Sequence, residues 1–167
     1  MTQPVIIIGA GLAGWSTARE FRKLDAITPV LLITADRGDF YAKPSLSNAF
    51  AQGRTPAQLV STPAAKMAQT HNVTLLAHTR ALAIDPARRV VTTSGGELAY
   101  RDLVLATGAQ AIRVPIAGNA ADQVLSVNSL QDFEIFHTRV ASAHNAENDS
   151  KHIVIMGAGL IGCEFAN

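Results

Sequence analysis

Apolar residues in this chain come in short blocks that stop at glycines, prolines or small polar residues. Val5-Ile6-Ile7-Ile8 runs without polar alternation into Gly9, which predicts a strand buried on both faces, as in a parallel sheet. From Leu12 to Leu24 the apolar spacing becomes helical. Leu12, Trp15, Ala18, the stem of Arg19 and Phe21 or Arg22 fill successive turns, Ala13, Ser16 and Thr17 are small enough for close contact with a sheet, and the helix must end before Pro29. Val30-Leu31-Leu32-Ile33-Thr34 is a second strand of the buried type and completes a βαβ unit. Arg37 to Asn48 is polar and turn-rich. Thr55 and Thr62, each followed by proline, are expected to cap two short helices.

The middle of the chain changes character. Val73–Leu76, Ala81–Pro86, Arg89–Thr93 and, after the turn Ser94-Gly95-Gly96, Leu98–Tyr100 are short runs separated by turn residues, and they read as antiparallel strands. Asp102-Leu103-Val104-Leu105-Ala106-Thr107-Gly108 returns to the buried type. Pro115 and Gly118 mark a crossing loop, and Ser129 with Asp132 three positions on starts a helix reaching His137 to Ala143. His144 to Ser150 reads as a surface linker. Ile153-Val154-Ile155-Met156 then leads into glycines as the opening strand did, and the sequence stops five residues after Gly162.

Both apolar blocks feed a G-x-G-x-x-G: Gly9-Ala10-Gly11-Leu12-Ala13-Gly14 and Gly157-Ala158-Gly159-Leu160-Ile161-Gly162. Such a turn between strand and helix brings backbone close to a pyrophosphate, which then lies at the helix N-terminus where unpaired N–H groups favour negative charge. One copy can be a structural turn. Two copies in one chain imply two dinucleotides, and a flavin with a nicotinamide is the economical pair for hydride chemistry. In many such units an acid at the end of the second strand holds a ribose. Thr34 occupies that place here and Asp36 lies two residues on, either as ribose ligand or as a turn residue. The second unit lacks its helix body, its second strand and a ribose-reading acid. Residues 151–156 would form a strand without parallel neighbours, so the sequence reads as a fragment.

Composition narrows the function classes. With 48% hydrophobic and 16% charged residues the 167-residue chain can bury a core. Fourteen basic against thirteen acidic residues leave no footprint for nucleic acid or an anionic membrane. No apolar stretch approaches a membrane span, and no basic region marks a secretory leader. The single Cys163 excludes an internal disulfide and fits a reducing cytoplasm. The five histidines show no metal spacing, so no metal site is expected. Arg88, Arg89, Arg101 and Arg113 form either a basic docking patch or a scattered solvated face.

Three stretches carry a family resemblance: Tyr41-x-Lys43-Pro44-x-Leu46-Ser47, Tyr100 to Ala109 (YRDLVLATGA), and Gly157 to Asn167 (GAGLIGCEFAN). Together they resemble the FAD-dependent pyridine nucleotide-disulfide oxidoreductases, and within them the rubredoxin and flavorubredoxin reductase subgroup. Thr34 in the phrase LITAD is similar to that subgroup rather than to the ferredoxin reductases. The resemblance covers the whole chain.

It implies an incomplete Rossmann-like, three-layer ββα FAD-binding domain with its first segment over 1–112, a crossover and linker helix over 113–150, and the truncated start of a second Rossmann-like, NAD-binding domain over 151–167. It also implies site residues. Gly9, Ala10, Gly11, Leu12, Ala13 and Gly14 would wrap the FAD pyrophosphate, Thr34 and Ala35 would lie at the adenosine ribose, and Arg80 or Ala81 would meet the adenine through backbone. Ala106, Thr107 and Gly108 would pass close to FAD, and Gly157, Gly159, Leu160, Ile161 and Gly162 would bind NADH. Lys43, next to Pro44, and Glu164 would be the pair beside the flavin ring, the lysine stabilising negative charge and the carboxylate holding the lysine. Taken without the resemblance, Lys43 is a solvated loop lysine. Asn48 follows Leu46-Ser47 where peroxide-reducing members carry cysteine, and Cys163 has a packing role. The implied reaction passes hydride from NADH to FAD and single electrons to rubredoxin or a similar small iron protein. The alternatives are a ferredoxin reductase, an NADH oxidase, or, for this length of chain, a nucleotide-binding module that catalyses nothing.

Overall fold

The computed structural model describes residues 2–142 and 152–167. Its contacts fall into two compact units: one joins the residues up to Tyr41 with Val60–Ala109, the other joins Ala42–Leu59 with the described residues from Gln110 onward.

The first unit is built on β1 (Val5–Ile8). This strand pairs in parallel with β2 (Val30–Ile33) on one side and with β9 (Asp102–Leu105) on the other, and β5 (Thr74–Leu76) lies outside β2, also parallel. All four β1 side chains are buried because its alternation serves two layers. Val5 and Ile7 pack with Val30 and Leu32 against Trp15 and Ala18 of α1 (Leu12–Leu24). Ile6 and Ile8 pack with Ile33 against Val91 and Tyr100. Val91 belongs to the antiparallel meander β6 (Ala81–Asp85), β7 (Val90–Thr93) and β8 (Gly96–Ala99). Helix, parallel sheet and meander are the three expected layers. Each isoleucine so buried contributes about 1.5–3 kcal/mol relative to exposure.

The helical layer is also tied by polar contacts. Trp15 Nε1 donates to Gly38 O at 3.0 Å. The Arg22 guanidinium donates to four carbonyls, those of Asp25 (3.0 Å), Thr28 (2.7 Å), His71 (3.0 Å) and Asn72 (2.7 Å). It thereby joins the C-terminus of α1 to the loop after α4 (Ala64–Thr70). The Asp25 carboxylate accepts from the N–H groups of Ile27 and Thr28 and from the Thr28 hydroxyl, and these donors, the hydroxyl first, hold it down to about 2.

Several expectations are corrected. Residues 73–76 do not join an antiparallel set: β5 pairs in parallel with β2, because α4 precedes it and supplies the crossover a parallel neighbour requires. Thr62 does not cap a helix but ends β4 (Val60–Thr62), which pairs with β3 (Phe40–Tyr41); the N-cap of α4 is Pro63, and Asp39 Oδ1 accepts from the Ala64 N–H at 2.9 Å. Leu12 does not fill the core face of α1 and is 64% exposed at its first turn. The β9 strand is not buried on both faces; among the described residues it is one edge of the sheet, with Leu105 62% exposed. The polar stretch 37–48 contains β3, a 3₁₀ turn at Lys43–Ser45 and the first residues of α2 (Leu46–Ala49).

In the second unit, α2 and α3 (Pro56–Leu59) accompany α5 (Leu130–Ser142) and α6 (Leu160–Ala166). Phe136 meets Phe50 and Phe165 edge-on, with centroids 5.6 and 5.5 Å apart, and Phe133 is fully buried. The expected start of α5 is present: Ser129 Oγ accepts from the Asp132 N–H at 3.1 Å while the Asp132 carboxylate accepts from the Ser129 hydroxyl at 2.7 Å. The expected linker His144–Ser150 lies outside the described residues. Residues 153–156 form no strand; among the described residues no ladder partner lies beside them, and Val154 is 85% exposed.

Candidate functional site

In the first unit the expected residues gather at the C-terminal ends of the parallel strands, where open α/β sheets bind ligands. Gly9 leaves β1 with φ of +111° and donates to Ile33 O at 2.8 Å. A Cβ on Gly9 would lie 2.1 Å from Ala106 O, so β9 and its continuation press directly on this turn. A Cβ on Gly14 would lie 1.8 Å from Gly9 O, so the helix can follow the turn this closely only without a side chain there. Gly11 is different. It is the N-cap of α1 in extended conformation, and a Cβ there would meet nothing within 4 Å. The first helical turn has no side-chain cap, and its earliest backbone bond is Trp15 N–H to Gly11 O. Leu12 and Ala13 are exposed beside it. Exposed N–H groups, a helix N-terminus and open space over Gly11 fit a pyrophosphate.

The ribose and adenine positions are more committed. The Thr34 hydroxyl donates to Asp36 Oδ1 at 2.6 Å, and the same oxygen accepts from the Gly38 N–H at 2.9 Å, so Asp36 is engaged as a turn residue. Ala35 follows on the exposed side of that turn. The Arg80 N–H and C=O are both bonded to Ser94, and Ala81 opens β6 beside Thr93. Thr107 N lies 3.3 Å from where a Gly9 Cβ would be, and Gly108 follows with φ of +67°.

The second unit repeats the turn. Gly157 has φ of +114°, a Cβ on Gly162 would lie 2.0 Å from Gly157 O, and Gly159 is the extended, uncapped N-cap of α6, whose Cys163 N–H reaches Gly159 O at 3.0 Å. Leu160 and Ile161 are exposed. Beside them lies a pocket of about 420 Å³, whose lining includes Lys43, Pro44, Ser47, Ile161 and Glu164. The expected pair is therefore brought to one pocket, but among the described residues Lys43 and Glu164 form no ion pair. The Glu164 carboxylate is instead engaged by the hydroxyl of Ser47, a buried residue of α2. Ser47 closes the Tyr41-x-Lys43-Pro44-x-Leu46-Ser47 stretch but was expected to have no site role of its own. No local pattern signals a contact between positions 117 residues apart.

Comparison with known proteins gives a consistent picture. The family described as pyridine nucleotide-disulphide oxidoreductase matches residues 3–167. The nitric oxide reductase FlRd-NAD(+) reductase of Aeromonas salmonicida is 40% identical over 166 residues, covering 99% of this chain and 40% of that protein. The rubredoxin-NAD(+) reductase of Alcanivorax borkumensis is 41% identical, covering 98% and 41%. Among solved structures, the ferredoxin reductase of Rhodopseudomonas palustris superposes with TM-score 0.82 at 33% identity, covering 98% of this chain and 39% of that one. The reductase of a covalent putidaredoxin reductase–putidaredoxin complex gives 0.80 at 29%, with the same coverage. The chain thus spans about two fifths of the length of the curated relatives it matches.

Proposed function

Since the chain belongs to the pyridine nucleotide-disulphide oxidoreductase family, we propose that it is the nucleotide-binding part of a cytosolic NADH-dependent flavoprotein reductase that delivers electrons to rubredoxin or a similar small iron carrier. The observation that carries the two-nucleotide reading is the repeated turn. Two glycines with φ of +111° and +114°, each followed by an uncapped helix N-terminus, make two places of the same shape for a pyrophosphate. The names of the relatives from Aeromonas and Alcanivorax support the choice of acceptor, and Thr34 in the acidic place supports the same branch.

On this reading residues 1–112 bind FAD, 113–150 cross over, and 151–167 begin the NAD-binding domain. Gly9 to Gly14 hold the FAD pyrophosphate by backbone N–H groups. Thr34 and Ala35 face the adenosine ribose, Arg80 or Ala81 borders the adenine, and Ala106, Thr107 and Gly108 line the cofactor's path. Gly157, Gly159, Leu160, Ile161 and Gly162 receive NADH. A bound flavin accepts an electron pair as hydride and returns electrons singly. Lys43, beside Pro44, places a cation in the pocket it shares with Glu164, where it would stabilise negative charge on a reduced ring.

The test is NADH oxidation by the FAD-loaded protein that carries this sequence, with rubredoxin, ferredoxin and peroxide offered separately. Rubredoxin should be reduced fastest, and fast ferredoxin reduction without rubredoxin reduction would overturn the acceptor. Lys43→Met should slow hydride transfer more than it weakens FAD binding, and an unchanged rate would remove Lys43 from the chemistry.

A further inference from the structure

The pocket beside α6 keeps two polar side chains unengaged. Of the polar groups that line it, the Ser47 hydroxyl and the Glu164 carboxylate engage each other. Asn128 is tied at the start of α5, where its N–H donates to the Asp132 carboxylate at 3.0 Å. Among the described residues, neither the Lys43 ammonium nor the Asn48 carboxamide has a hydrogen bond or an ion pair. The position of Asn48 is nevertheless fixed. It lies half-buried on α2 between Ser47 and Ala49, both buried, and its backbone carbonyl accepts from the Gln52 N–H at 3.2 Å.

A carboxamide offers N–H donors and a carbonyl acceptor side by side. The group that satisfies it in full carries an acceptor next to a donor on one edge, as an amide or an imide does. Lys43 adds a cation, which favours a carbonyl oxygen or negative charge on the same ligand. Apolar side chains, among them Pro44, Val127, Ile161 and Phe165, make up the other walls and suit the body of a ring. At about 420 Å³ the pocket has the size of a small-molecule site.

We propose that Asn48 is a binding residue of this pocket and hydrogen-bonds the amide-like edge of a planar heteroaromatic ring seated beside Lys43. Two rings share that chemistry: the flavin ring, through its carbonyl and N–H edge, and nicotinamide, through its carboxamide. That the ring is a flavin rests on the reading of the Lys43 pocket given above; the recognition of an amide edge by Asn48 does not.

The test is an NMR titration of the protein that carries this sequence, prepared free of flavin, with lumiflavin and nicotinamide as separate probes. The Asn48 side-chain amide signals, assigned through their own Cβ, should shift on adding lumiflavin, a readout that needs no variant to fold. Asn48→Ala should weaken lumiflavin binding about fivefold, the worth of one net hydrogen bond, and alanine suits a helix better than asparagine. Asn48→Asp keeps the shape without the N–H donors and should weaken binding at least as much. Side-chain amide signals unmoved by either probe, or lumiflavin affinity unchanged in a folded Asn48→Ala, would overturn the proposal. A response to nicotinamide and not to lumiflavin would support recognition of the amide edge and overturn the flavin reading of the pocket. Signals that stay still while FAD shifts Gly11 to Gly14 would leave FAD binding intact and remove Asn48 from the site.

Discussion

The two glycine turns have nearly the same local geometry and very different support. Gly9 and Gly157 differ in φ by only a few degrees, and the helix glycines Gly14 and Gly162 approach the turn equally closely. Around Gly9, however, stand three parallel strands, Ala106 O against the turn itself, and a helix anchored at its far end by Arg22. Around Gly157, among the described residues, nothing lies within 4 Å of a built Cβ and the apolar residues before it have no ladder partner. The strand–turn–helix shape is thus encoded locally by glycine spacing. The strand hydrogen bonds that normally accompany it are not, because a lone extended segment has no donors and acceptors opposite it.

The comparison breaks most visibly at the first glycines. Gly9→Ala adds a methyl 2.1 Å from Ala106 O at a φ few residues adopt; strain and overpacking together should cost about 3 kcal/mol or more, read in urea unfolding through the single tryptophan, Trp15. Gly157→Ala incurs only the backbone term, about 1 kcal/mol. Equal costs would show that the surroundings of the two turns do not matter.

Removing the anchor comes next. Arg22→Ala strips four carbonyls of a charged donor and should destabilise the first unit by about 2 kcal/mol, whereas α6 has no equivalent anchor to lose among the described residues. A change under about 0.5 kcal/mol, the range of ordinary surface substitutions, would contradict the anchoring role.

The smallest effect is a pH dependence. Asp25 titrates near 3.8 when unfolded and at about 2 here, so its contribution is complete above pH 3.8 and is lost as the pH falls through 2. The Trp15-detected melting temperature should drop over that window, and Asp25→Asn should flatten the drop.

Much of the first unit was legible because its determinants are local: an unbroken β-branched run, glycine spacing and helical periodicity; in the second unit the capping pair at Ser129 and Asp132 was legible for the same reason. The direction of β5 was not, since a three-residue apolar strand looks the same parallel or antiparallel and α4 decides it. The Asp39 bond to Ala64 spans 25 residues and displaced the local expectation at Thr62. In the candidate site, the sequence brought Lys43 and Glu164 forward by resemblance, but the partner that engages Glu164 is Ser47, and only the fold brings α2 to α6. Leu105 looked buried because its strand is apolar; exposure follows from being at the edge.

The central claim is that the Gly9 turn is a formed pyrophosphate site over which Gly11 leaves room. Gly11→Ala tests it without disturbing the fold: its φ of −74° suits any residue and no atom lies in the way, so stability should change by less than about 1 kcal/mol. In amide NMR spectra of the chain titrated with FAD, the unsubstituted protein should show shifts at Gly11 to Gly14, and Gly11→Ala should keep a folded spectrum and lose them. Shifts that persist in Gly11→Ala, or that arise only at Gly157 to Gly162, would contradict the account.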